Sequence, residues 1–157
     1  MTRIRTLLCL ALLSTPLLAA AADNGPAVPE ALKAEPPYVQ NRVCSELFAS
    51  MTRMSVNLYH VAHAPALKEA AYKSGVNSIV FVAENAAMTD AEKAHAKQLA
   101  DQIEHSASAK HPVIEAYQFC EARAERWIKD GIVSKDDVEQ ITKKVHESVD
   151  KMAADQS

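Results

Sequence analysis

Residues 38–64 read YVQNRVCSELFASMTRMSVNLYHVAHA. In this stretch Cys44, Leu47, Phe48, Met51, Met54, Leu58, Val61 and Ala62 recur at spacings of three and four, which aligns them on one face of an α-helix. Pro65 closes it, because proline disfavours the α conformation at Ala64 and is welcome in the first turn of a following helix.

The same period continues downstream. A second helix from Pro65 to about residue 86 presents Leu67, Ala70, Ala71, Ser74, Ser78, Phe81 and Val82. Its β-branched and aromatic run Ile79–Val82 has the composition of a strand, but with no partner strand elsewhere it is read as helix buried on most sides. Thr89 followed by Glu92 is a capping box for a third helix reaching Ser106, whose inner face would be Ala91, Ala94, His95, Gln98, Leu99, Gln102 and Ile103. So polar a face suggests partial packing or burial against a partner chain. Pro112 is expected to start a fourth helix bearing Val113, Ala116, Tyr117, Cys120, Ala124, Trp127 and Ile128, with Gly131 as its stop. Ser134 caps a fifth, striped by Val138, Ile141, Val145, Val149 and Met152. Matched helices and short connections favour antiparallel neighbours, so the fold class is all-α: an up-and-down bundle of four to five helices in one domain, residues 38–157.

Upstream the chemistry changes. Arg3 and Arg5 precede an apolar run over residues 7–18, and Ala20 and Ala22 form an Ala-x-Ala site, the layout of a cleaved export signal over residues 1–22. Cys9 falls inside the apolar run without the small residue that precedes a lipidated cysteine, and belongs to the signal. Residues 23–37 carry Pro26, Pro29, Pro36 and Pro37 and read as a flexible leader. Cleavage takes 157 residues to 135, and 17 basic side chains to 15 against 20 acidic, so the net charge goes from −3 to −5. An acidic exported chain offers no footprint for nucleic acid or an anionic membrane. Two cysteines remain, Cys44 and Cys120; in an oxidising compartment they predict one disulfide joining the first and fourth helices. A periplasmic or secreted location follows from the same reading.

Several chemistries have no motif here. The sequence contains no Cys-x-x-Cys, no His-Glu-x-x-His, no Gly-x-Ser-x-Gly and no phosphate-binding loop. The acidic pairs Asp136–Asp137 and Glu121–Glu125 read as capping and solvated-face arrangements. Histidine stands out: all six lie after residue 22. In an up-and-down bundle His60, His63, His105 and His111 share one pole, near Glu69, Glu104 and Glu115, and the His60/His63 spacing suits zinc, copper or nickel. The same cluster is also the natural place for a pH sensor. Met51 and Met54 with His95 or His146 form a weaker candidate for haem ligation in the core, against the ordinary role of methionine as core filler. No organic cofactor is implied. The leading functional expectation is a non-enzymatic periplasmic binding or accessory module acting on a protein partner or on its own copies. The alternative is a metal-binding or metal-sensing protein using the histidine pole.

Overall fold

The structure, a computed structural model, describes residues 26–82, 87–106 and 110–155. The expected export signal lies outside these residues. Five helices follow one another: α1 Pro37–Ala62, α2 Pro65–Val80, α3 Asp90–His105, α4 Lys110–Lys129 and α5 Lys135–Ala154. No strand occurs among the described residues, so the all-α expectation holds and Ile79 and Val80 are helical.

The ends follow from local chemistry. Pro37 and Pro65 occupy the first turns of α1 and α2, where a missing N–H costs no intrahelical bond. His63 ends α1 in the left-handed conformation, φ 49°, with its N–H on the Tyr59 carbonyl at 2.7 Å, and Ala64 is extended, as a residue before proline must be. The Thr89–Glu92 capping box is complete, each partner binding the other's backbone N–H. At the end of α4, Gly131 at φ 73° lets its own N–H reach Ile128 and that of Ile132 reach Trp127, a Schellman turn. Ser134 Oγ accepts the Asp137 N–H at the start of α5.

Two boundaries differ from expectation. The second helix stops at Val80 instead of near residue 86, and Phe81, the residue that follows it, is fully buried. The fourth begins at Lys110, two residues before Pro112; the proline stands third in the helix, still within the turn whose amides have no intrahelical acceptor.

Cross-helix pairs give each helix its direction. Ser45–Ser78 and Thr52–Ser74 run α2 against α1, while Tyr38–Glu92 and Ser50–Glu104 run α3 alongside it. Gln40–Arg123, Cys44–Cys120 and Leu47–Tyr117 make α4 antiparallel to α1. Tyr72–Asp150 and the approach of Gly75 to Val145 do the same for α5 against α2. Directions therefore alternate along the chain. Adjacency does not: α1 is central and touches every other helix, α2 also meets α4 through Lys73–Glu121, α3 is lodged against α1 instead of beside α2, and α5 lies against α2.

The disulfide Cys44–Cys120, Cα–Cα 5.4 Å, joins α1 to α4 as expected, and both cysteines are fully buried. Around it Val43, Leu47, Phe48, Phe81, Ala116 and Trp127 form the main core. A smaller cluster of Val56, Ala71, Val145 and Val149 seats α5, and half-buried Val76 packs against both.

Three expected faces are corrected. On α1 the stripe is covered only as far as half-buried Met51; Met54, Leu58, Val61 and Ala62 are exposed. On α2 Ala71, Ser74 and Phe81 are buried but Ala70 and Val82 face outward. On α3 the buried positions are Ala96, Ala100 and Ile103, whereas Ala91, Ala94, His95, Gln98 and Gln102 are exposed. The methyl groups of Ala96 and Ala100 let α3 lie close to α1 while its long polar side chains stay exposed. The leader is corrected as well: Leu32 is fully buried in the main core, and Gln40 Nε2 donates to the carbonyls of Leu32 and Glu35 at 3.1 and 2.8 Å. Val28 packs against the same core as Leu32 and His95 pairs with Glu35, so several contacts hold this proline-rich segment against the bundle.

Candidate docking groove and the histidine pole

At one end of the molecule the last turn of α2, the α4–α5 turn and the first half of α5 enclose an open groove of about 430 Å³. Its floor is Val80, Val133 and Ile141, and its walls carry Ile79, Val82 and Ile132, which are 38, 45 and 58% exposed. Asp137, Gln140 and Lys144 form a polar rim. The Schellman turn lifts Ile132 out of α4, and the end of α2 splays Ile79 and Val82 away from buried Val80 and Phe81. Isolated exposed aliphatics are ordinary on any surface; here three surround one concavity with a charged rim, which makes it the candidate site. Ile132 was not singled out by periodicity because it follows the helix stop. The β-branched run at the end of α2 was the visible signal, and only half of it is buried.

Two smaller hollows are more nearly filled. One of about 170 Å³ lies between Phe48, Met51, Tyr117 and Glu121, and one of about 250 Å³ beside Phe119, Arg123 and Trp127. Tyr117 connects three helices: its hydroxyl donates to the Leu47 carbonyl at 2.9 Å and faces Glu104 at 3.1 Å, and Ser50 Oγ also donates to Glu104. Burial, then the Glu104 carboxylate, pushes the Tyr117 phenol well above its usual range.

Among the described residues His105 lies apart from His60 and His63. The α1–α3 pairing places His105 level with Met51, nine residues and about 14 Å short of His60. His105 donates from Nδ1 to the Asp101 carbonyl of its own helix at 2.8 Å. His60 and His63 flank the Tyr59 ring, with centroids 6.3 and 6.2 Å from it, and His60 Nε2 is sheltered without a hydrogen-bond partner. The side chain of His111 lies outside the described residues. Among the described residues no three His, Cys, Asp or Glu side chains gather in a metal-holding group. Because α3 ends partway along α1, His105 stops short of the α1 terminus.

The haem candidate loses its geometry too. Met54 is 53% exposed, His95 pairs with Glu35 at 3.1 Å, and His146 stacks on Tyr72 at 3.8 Å on the far side of the bundle. Of the acidic pairs, Asp137 serves the Ser134 cap and Glu121 takes the Lys73 ammonium, as solvated structural roles require. No described helix is long and apolar enough to cross a membrane. No protein-family model, no curated protein and no solved structure matches this chain.

Proposed function

We propose that the protein is an exported, non-enzymatic binding module that engages another protein through the groove between α2 and α5. The observation that carries this reading is the exposure of Ile79, Val82 and Ile132 around one concavity of about 430 Å³. The N-terminal apolar run with its Ala-x-Ala site supports export, and the buried Cys44–Cys120 bridge fits an oxidising compartment. The partner's chemistry follows from the lining. A short amphipathic segment would place aliphatic or aromatic side chains between Ile79 and Ile132 and set polar groups against Asp137, Gln140 and Lys144.

A photo-crosslinking side chain at Gln140, on the rim, tests this in periplasmic extract of the source organism. The expected result is a discrete cross-linked protein whose yield falls at least tenfold in Ile132→Asp and Val82→Asp but not in Ser148→Asp, away from the groove. Equal yields in all four proteins would overturn the reading.

A further inference from the structure

We propose that the exposed apolar face of the C-terminal half of α1 is the contact face of a two-fold dimer of this chain. Met54, Leu58 and Val61 are 53, 47 and 83% exposed. Spaced by four and three, they are not scattered residues but the continuation of the seam Gln40, Cys44, Leu47 and Met51. Along the first part of that seam α4 is bonded to α1 through Gln40–Arg123, Cys44–Cys120 and Leu47–Tyr117. Extended by the same antiparallel register, α4 begins level with Met54, and α3 ends level with Met51. The apolar seam thus continues past the helices that cover it, onto eight more residues, 55–62, about 12 Å of α1.

The register selects a second copy as the occupant. An antiparallel α1 centred on Leu58 sets Leu58 against itself and brings Met54 opposite Ala62 of the other chain, within one residue of its Val61, twice over. Such a helix, ending at residue 62, would stop level with Met54, where the first chain's α4 starts, so its length matches the bare stretch of the seam among the described residues. The charges match as well: α4 has no acidic side chain in its first turn to offset the positive end of its dipole, and the abutting α1 terminus presents carbonyls to it. Asn57 and Ala62, at the edge of the seam, place no charge against the other copy. Self-complementarity of one patch is what a two-fold interface demands. With three apolar positions per chain the contact sits below the roughly 1,200 Å² of a stable interface, so dissociation on the order of 10–100 µM is expected. This face lies at the opposite end of α2 from the groove, and its failure would leave that proposal untouched.

Sedimentation equilibrium on the oxidised chain from about 10 µM to 1 mM tests it. A monomer–dimer equilibrium is expected, abolished in Leu58→Glu and unchanged in Ile132→Asp. Air oxidation of Leu58→Cys is expected to give a covalent dimer by non-reducing electrophoresis, because the axis places residue 58 opposite itself. A monomer at 1 mM, a dimer that persists in Leu58→Glu, or a Leu58→Cys protein that stays monomeric would each overturn the proposal.

Discussion

Tyr117 is where a single proton is tied to the stability of three helices. Its phenol is held neutral, first by burial and then by the negative charge of the Glu104 carboxylate 3.1 Å away, while its proton is shared between that carboxylate and the Leu47 carbonyl. A folded-state pKa above the unfolded value of about 10 means that the native state keeps this proton more tightly. Its contribution is therefore complete below pH 10 and lost as pH rises beyond it, at up to about 1.4 kcal/mol per pH unit. At neutral pH Tyr117→Phe removes the bonds to Leu47 and Glu104 and is expected to cost about 1–2 kcal/mol. Urea melts at pH 7, 10 and 11 should show that cost shrinking above pH 10, since the variant has no phenol to ionise at this site. A difference that stays constant across the series would show that the hydroxyl reaches water. Periodicity places Tyr117 on the core-facing side of α4. Its partners were not legible, because a backbone carbonyl seventy residues away and a glutamate on α3 leave no local pattern.

Gly75 is the point on which the α2–α5 contact turns. A methyl group built there would stand 2.6 Å from Val145 Cγ1, at the centre of the small cluster that seats α5. Two terms compete in Gly75→Ala. Helix propensity favours alanine by about 1 kcal/mol, whereas forcing a methyl into a packed site costs about 1–3 kcal/mol. Because the colliding atom belongs to a buried β-branched side chain with few rotamers, the clash is expected to win and Gly75→Ala to be less stable. Val145→Ala opens a cavity and also destabilises, yet the double variant should be more stable than the two losses added together, by about 1 kcal/mol in a double-mutant cycle. Additive losses would mean that α5 shifts freely to accommodate the methyl group. Helix ends were largely readable at this scale, since Pro65, Thr89, Gly131 and Ser134 act through their own turns. Burial was less so. The stripe through Met54, Leu58 and Val61 has the same period as that through Cys44 and Leu47, and a pattern on one helix does not record where its neighbours end.

The whole molecule has a strong part and a weak part. The main core spans α1, the end of α2, α3 and α4, is cross-linked at Cys44–Cys120, and includes Phe48, Phe81 and Trp127. By contrast α5 is held by four small buried side chains with half-buried Ile141 and Met152 beside them, the stacking of His146 on Tyr72, the Tyr72–Asp150 hydrogen bond and the exposed Lys68–Asp150 ion pair at 2.6 Å, of which the ion pair contributes little in water. Opening of α5 is therefore expected at a lower free energy than unfolding of the core, and its amides should exchange first. The disulfide acts on the other term. Closing a loop between residues 76 apart in sequence is worth about 4 kcal/mol to the core in the chain-entropy account, so reduction should lower the melting temperature by roughly 15 °C. Since α5 carries no cysteine and does not rest on the bridged seam, its opening free energy should hardly change on reduction. Hydrogen exchange by mass spectrometry on the oxidised and reduced chain is the check: protection over residues 37–50 and 113–129 should fall towards that of residues 135–154, which stays near its oxidised value. Protection lost in proportion across all five helices would mean that the two clusters, joined through Val76, unfold as one unit.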